Sequence, residues 1–113
     1  MLNAMQYAHA AQLLAAIIGG TVPADRQMDR HFRANPRLGA RDRGTIAEIV
    51  YACLRQLGLP RHLVGPSGPA ESWLAIHVLR QGLGARALEQ LRYRGEGELA
   101  AAALTARLRG LDP

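Results

Sequence analysis

The sequence predicts an all-α bundle of five or six helices, and three observations support this fold class. Apolar residues make up 49% of the 113 positions, as in a folded chain rather than a disordered one. Only one Phe, one Trp and three Tyr are present, so Leu, Ile, Val and Ala must form most of the core. Apolar positions recur at helical spacing, and no segment alternates as a strand does. This length suits one domain, residues 1–113.

Helix one is predicted to run from about Ala4 to Ile18. Asn3 is a good N-cap, and the pair Gly19-Gly20 is a strong stop signal. Apolar residues at helical spacing should place one face of this helix in the core: Met5, Leu13, Leu14, Ile17 and Ile18.

Helix two is predicted to begin near Pro23 and to end before Asn35, because the residue ahead of a proline avoids the helical region. Asp29 can pair with Arg33 four residues later. The buried stripe should consist of Ala24, Met28 and Phe32. A different face of the same helix carries three arginines, namely Arg26, Arg30 and Arg33.

Helix three is predicted from about Ala40 to Leu57, after a turn over residues 36–39. Asp42 in its first turn favours the positive end of the helix dipole. The helix has the broadest apolar face in the chain, formed by Ile46, Ile49, Val50, Cys53, Leu54 and Leu57.

The second half of the chain is predicted to hold three further helices. Residues 58–69 contain several prolines and glycines and should form a loop or a broken short helix. A fourth helix over Ala70–Gln81 is apolar around much of its circumference and is expected to be central. The last two helices are expected over Ala85–Arg92 and Glu98–Arg109.

Positive charge is concentrated in residues 21–61, which contain eight Arg against four acidic residues, or +4 of the chain's formal +5. Such a surface indicates RNA or DNA, but it also suits a solvated face with local ion pairs, or an acidic protein partner. Few aromatic residues lie nearby, which favours recognition of shape and phosphate over base stacking. The candidate RNA contacts are Arg26, Arg30, Arg33, Arg37, Arg41 and Arg43.

The sequence shows no catalytic constellation and no metal-ligand spacing, so we predict no catalytic residue, metal or cofactor in this chain. Cys53 lies on the apolar face of helix three and is interpreted as a packing residue. Residues 95–100 match a GxGxxA nucleotide fingerprint, but the preceding segment is helical where that fingerprint requires a strand. A single cysteine permits no internal disulfide.

Residues 1–20 carry no Asp, Glu, Lys or Arg and end in a short apolar run. A signal peptide would begin with a basic segment, and the apolar run Leu13–Ile18 is too short to span a bilayer. We therefore expect a cytoplasmic protein with no membrane partner.

The segment Pro23–Arg55 carries three short motifs that recur together in one protein family. They are Asp29-Arg30-His31-Phe32-Arg33, then Leu38-Gly39-Ala40-Arg41-Asp42-Arg43, then Ile46-Ala47-Glu48-Ile49-Val50-Tyr51 with Leu54-Arg55. This third of the chain resembles the NusB-like N-terminal domain of the RsmB/Sun family of ribosomal RNA cytosine-5 methyltransferases.

The resemblance implies an all-α RNA-binding domain that precedes a catalytic domain using S-adenosylmethionine. The chain would then be a fragment, with the methyltransferase domain following Pro113, and its partners would be ribosomal RNA and that domain. The second half lacks the asparagine-rich helices of many NusB-like domains. Because residues 1–20 also lack an arginine-rich start, an antitermination role is less expected.

Two alternatives stay open at this point. In the first, Arg41 and Arg43 stabilise the fold: Asp42 caps helix three while one of the arginines pairs with a carboxylate such as Glu48. In the second, the domain is a protein-interaction module that docks on its own catalytic domain or on a transcription or ribosomal protein, through an exposed apolar patch near helix four.

Overall fold

The computed structural model describes residues 2–56, 69–82 and 84–111. Within these residues every regular element is helical, which confirms the all-α prediction. A short 3₁₀ turn, Gly97–Leu99, precedes the last helix. The helices are α1 (Ala4–Gly19), α2 (Ala24–Ala34), α3 (Ala40–Arg55), α4 (Ala70–Arg80), α5 (Gly84–Gln90) and α6 (Ala101–Leu111). Leu57 and most of the predicted loop at 58–69 lie outside the described residues.

Helix α1 begins with a capping box. The Asn3 side chain accepts a hydrogen bond from the backbone N–H of Gln6 at 2.8 Å, and the Gln6 side chain accepts one from the backbone N–H of Asn3 at 3.0 Å. This reciprocal pair satisfies two N–H groups that the helix itself cannot pair. The predicted cap at Asn3 is therefore confirmed.

The prediction that Met5 faces the core is wrong, because its side chain is 41% exposed. At about 100° per residue, the buried positions of α1 from Gln6 to Leu14 span an arc of about 120°. Met5 lies about 80° outside that arc. The position of Met5 around the helix, rather than its apolar character, therefore determines its exposure.

Helix α4 is the centre of the core, as predicted. It contacts α1, α3, α5 and α6. Every residue from Ser72 to Leu79 is buried, and Trp73 is the largest of the fully buried side chains. The apolar face of α3 packs against this centre through Ile46, Val50 and Cys53, which have no exposed surface.

The last predicted helix begins later than expected. Residues 97–99 form the 3₁₀ turn and Ala100 is extended, with φ −61° and ψ 147°, so α6 begins at Ala101. The Tyr93 hydroxyl donates to the carbonyl of Leu99 and also lies 3.1 Å from the Ser72 hydroxyl. The Tyr93 hydroxyl thus occupies the Leu99 carbonyl, which in a continuous helix would accept a hydrogen bond from a backbone N–H.

The contact between the Tyr93 hydroxyl and the Leu99 carbonyl also explains why residue 95 is a glycine. A Cβ atom there would collide with the Tyr93 hydroxyl and the Leu99 carbonyl. Helix α5 and a turn, rather than a strand, precede this glycine. The segment before Gly95 thus lacks the strand that the fingerprint requires, as the sequence indicated, and close packing accounts for the glycine itself.

Cys53 is fully buried, and its thiol donates to the Trp73 carbonyl across 3.8 Å. Burial raises the pKa of the thiol to about 11. The thiolate is the nucleophilic form, so the native chain holds its cysteine in an unreactive state at neutral pH.

We expect native Cys53 to react with a thiol reagent such as dithionitrobenzoate only as fast as the chain opens. At about pH 8, the native protein should react at least ~100-fold more slowly than protein unfolded in guanidinium, because both access and thiolate are lacking. Absorbance of the released chromophore measures both rates. Equal rates in the two states would contradict the buried position.

Candidate nucleic-acid interface

The exposed face of α2 carries three of the predicted arginine contacts. Met28 is buried on the opposite side, and Phe32 is half-buried against the core. The spacing i, i+4, i+7 places the arginines on one side of the helix. The exposed residues are Arg26, Arg30 and Arg33.

Arg33 alone among these three is paired within the described part of the chain. Its Nε lies 3.2 Å from Oδ2 of Asp29, which confirms the predicted ion pair, and both side chains stay largely exposed. Arg26 and Arg30 form no ion pair with a described carboxylate. Like charges four residues apart destabilise a helix by about 0.2–0.5 kcal/mol, so this face is not arranged for helix stability alone.

The turn between α2 and α3 adds Arg37. The backbone N–H of Leu38 donates to the Asn35 carbonyl at 3.1 Å, and the Leu38 side chain is buried. Arg37 remains exposed beside this anchor. The tight turn thereby places the backbone of Arg37 between the two arginine-bearing helices.

At the start of α3, Asp42 ties the helix to α1. Its Oδ1 accepts a hydrogen bond from the Gln6 side chain at 2.8 Å. Arg41 and Arg43 flank this inward residue, and both are exposed. Because they are two residues apart, their side chains leave α3 in directions about 160° apart and do not form one tight pair.

The structural alternative for Arg41 and Arg43 is therefore wrong as stated. Asp42 bonds to Gln6 rather than capping α3, and the N-cap residue of α3 is Gly39. Glu48 is exposed, and neither arginine pairs with it or with another carboxylate of the described residues. Arg41 and Arg43 therefore face solvent, and neither forms an ion pair with a described carboxylate.

Helix α3 also adds its own positive end to this surface. No side chain of the described residues caps its first N–H groups. Unpaired N–H groups at a helix start carry partial positive charge. Six exposed arginines lie within residues 26–43, and we call this set the α2–α3 basic surface: arginines 26, 30, 33, 37, 41 and 43.

A shallow groove of about 430 Å³ adjoins the α2–α3 basic surface at the turn. One wall is α1, with Met5 and His9, and the other is the turn, with Arg37. Asp42 also lines it. Arg37 and Asp42 leave the groove without formal net charge, so it supplies a concave wall beside Arg37 but no positive potential of its own.

A pair of histidines joins α1 to α2, which sequence reasoning missed. Nδ1 of His9 lies 2.8 Å from Nε2 of His31, and their rings meet edge to face at 81°. The search for i, i+4 pairs could not find residues 22 positions apart. The sequence held only a partial signal: His9 precedes Leu13 by four residues and His31 follows Met28 by three, which places each beside a buried stripe without identifying its partner.

This pair gives the chain a pH-dependent stability. Burial, and then the neighbouring His9, hold the pKa of His31 below its usual value. A histidine with a lowered folded pKa binds its proton more readily in the unfolded chain, so its stabilisation is present above about pH 6.5 and is lost as pH falls.

We therefore expect the melting temperature to fall between about pH 7.5 and pH 5.5, and to fall less in His31→Gln. Burial, and then Arg80 and Arg55, also lower the pKa of His77, so part of the pH dependence should persist in the variant. Thermal melts followed by circular dichroism across that range measure both. An unchanged pH profile in His31→Gln would contradict the coupling of the two histidines.

None of the described helices combines the length and the apolar character that a membrane crossing requires. The described residues also contain no group of three or more His, Cys, Asp or Glu side chains arranged to hold a metal ion.

In comparisons with known proteins, no protein-family model, no curated protein and no solved structure matches the chain.

Proposed function

We propose that this chain is an RNA-binding domain. The observation that carries the proposal is the α2–α3 basic surface, where six exposed arginines lie on two helices and the turn that joins them. Five of the six form no ion pair with a described carboxylate, so their charge is available to an anionic ligand.

The chemistry of these side chains favours phosphate as the ligand. Guanidinium groups donate hydrogen bonds in a planar fork that matches phosphate oxygens. The surface offers no exposed aromatic platform among the described residues, since Phe32 and Tyr51 are both partly buried against the core. Recognition of backbone and shape, as in structured RNA, fits this surface better than base stacking.

The more specific proposal is that the domain positions ribosomal RNA for a cytosine-5 methyltransferase. It rests on the three motifs that resemble the NusB-like domain of the RsmB/Sun family. Their apolar positions Leu38, Ile46 and Val50 are buried, while their arginines are exposed. S-adenosylmethionine would bind in a separate catalytic domain, and this chain would supply RNA affinity and orientation.

The protein-interaction alternative has less support. It expects an exposed apolar patch near α4, but the residues of α4 from Ser72 to Leu79 are buried. Met5 on α1 is the large apolar side chain that the described part of the chain exposes. A single exposed methionine is a small target for a protein partner.

The proposal is tested by charge reversal at the start of α3. We expect Arg41→Glu with Arg43→Glu to weaken binding of a fluorescently labelled ribosomal RNA hairpin by at least ~10-fold in fluorescence anisotropy. Stability should hardly change, because both side chains are exposed. A folded double variant that binds as tightly as the original chain would contradict the proposed role of these arginines.

The matched control is Arg80→Glu with Arg86→Glu. Both residues are exposed and lie outside the α2–α3 basic surface, and the reversal changes net charge by the same amount. The control should retain most of the affinity. Equal losses in the two variants would mean that total charge, not this surface, determines binding.

A further inference from the structure

A second groove, which carries two arginines, lies against α1. It measures about 710 Å³ and is bounded on one side by α1. Across from α1 it is lined by Arg92 and Arg94, which are exposed and form no ion pair with a described carboxylate. Glu71 also lines the groove, so the formal charges of the groove's lining residues sum to +1. Glu71 lies in the first turn of α4, where a carboxylate stabilises the positive helix end.

Arg92 holds a backbone conformation that arginine rarely adopts, with φ 64°. The backbone N–H of Tyr93 donates to the Leu88 carbonyl, and that of Arg92 donates to Glu89, each at 3.0 Å. This is the Schellman arrangement at a helix end, in which position C′ is usually glycine. An arginine at this position costs stability that a glycine would not, and a functional contact is one reason to retain it.

The two grooves lie on either side of one ridge. Met5 lines both of them, with Arg37 in the first and Arg92 and Arg94 in the second. The first twenty residues of the chain contain no Asp, Glu, Lys or Arg. Helix α1 therefore presents an exposed ridge at Met5 that carries no Asp, Glu, Lys or Arg, with Arg37 and Asp42 on one flank and Arg92, Arg94 and Glu71 on the other.

This pattern matches the minor groove of double-helical RNA. That groove is wide and shallow, and phosphates run along both of its edges. A helix about 10–12 Å across separates the two sets of arginines, so they cannot share one phosphate but can reach the two edges of one groove. A single strand offers one row of phosphates and would leave one flank of α1 unused.

We propose that the α1 ridge lies in the minor groove of double-helical RNA, with Arg37 on the phosphates of one strand and Arg92 and Arg94 on those of the other. This inference rests on the proposed function and adds to it a second arginine site and the class of RNA. It commits to RNA over an acidic protein, because an uncharged ridge between two arginine-bearing flanks fits a groove between two phosphate rows.

The test uses the whole chain and a blunt RNA duplex of about 20 base pairs. We expect Arg92→Gly with Arg94→Gln to weaken duplex binding about 10-fold and to make the log–log salt slope about 1.5 less negative. The melting temperature should rise by about 3–6 °C, because glycine adopts a positive φ without strain. Loss of affinity together with a gain of stability cannot be attributed to unfolding.

The control is Arg80→Gln with Arg86→Gln, which removes the same charge from exposed positions that line neither groove. Met5→Glu should weaken duplex binding at least ~10-fold by placing a negative charge on the ridge. Single-stranded RNA of the same length should bind more weakly and lose less in Arg92→Gly with Arg94→Gln.

The possible outcomes separate the two proposals. If the original chain binds RNA but the Arg92 and Arg94 variant binds the duplex unchanged, the ridge inference is overturned and the proposed function stands. If the original chain binds no RNA of either form, both are overturned. Equal binding of polyglutamate and duplex RNA would overturn the commitment to RNA.

Discussion

Replacing Trp73 with alanine is expected to lower the free energy of unfolding by about 3–5 kcal/mol. The side chain is fully buried in α4, the helix that contacts α1, α3, α5 and α6, so the cavity would lie in the core. A chain of this length has a total stability of about 6–17 kcal/mol, so the variant should lose a large share of it. The variant lacks the sole tryptophan and therefore its fluorescence, so urea unfolding is followed by circular dichroism instead.

The matched control is Met5→Ala, which also removes a large apolar side chain from a helix, but at an exposed position. We expect its free energy of unfolding to change by less than about 0.5 kcal/mol. Trp73→Phe, which keeps an aromatic ring, should lose less than Trp73→Ala. Similar losses in Met5→Ala and Trp73→Ala would contradict the assignment of α4 as the centre of the core.

Reversing the charge of Arg26, Arg30 and Arg37 to glutamate is expected to reduce RNA affinity by about 100- to 1000-fold at low salt. Three phosphate contacts would be lost and three repulsive charges added, while the Asp29–Arg33 ion pair is preserved. The three side chains are exposed, so the fold should survive. Anisotropy with a labelled RNA hairpin measures the affinity, and circular dichroism checks the fold.

The decisive comparison is a variant with the same net charge. Arg80, Arg86 and Arg109 are also exposed, and reversing all three to glutamate changes the formal charge from +5 to −1, as in the first triple variant. Affinity should fall much less in this control. If both triple variants lose affinity equally, the α2–α3 basic surface has no special role.

The elements with local signals were predictable from the sequence. Helix α1 follows its cap at Asn3 and ends at Gly19, as expected. The turn that contains Pro36 separates α2 from α3. Helix α4 was predictable as central because it is apolar on nearly every side, and a helix of that kind has no face suited to water. The exposure of the arginines on α2 followed from helical spacing alone.

The long-range contacts were not predictable in the same way. The bonds from Gln6 to Asp42 and from His9 to His31 join residues 36 and 22 positions apart, and no local pattern encodes which helices meet. The start of α6 was also misplaced, since the Tyr93 hydroxyl binds the Leu99 carbonyl from outside that segment. The groove at Arg92 depends on how α5 ends beside α1, which spacing within one helix cannot reveal.

The central claim is that the exposed arginines bind RNA phosphates, and the salt dependence of binding tests it most directly. The unmodified chain should bind a labelled ribosomal RNA hairpin at about 50 mM salt, and the affinity should fall with a log–log slope of about −3, as expected when roughly four phosphates are neutralised. No binding at that salt with protein at about 100 μM, or a slope near zero, would contradict the claim.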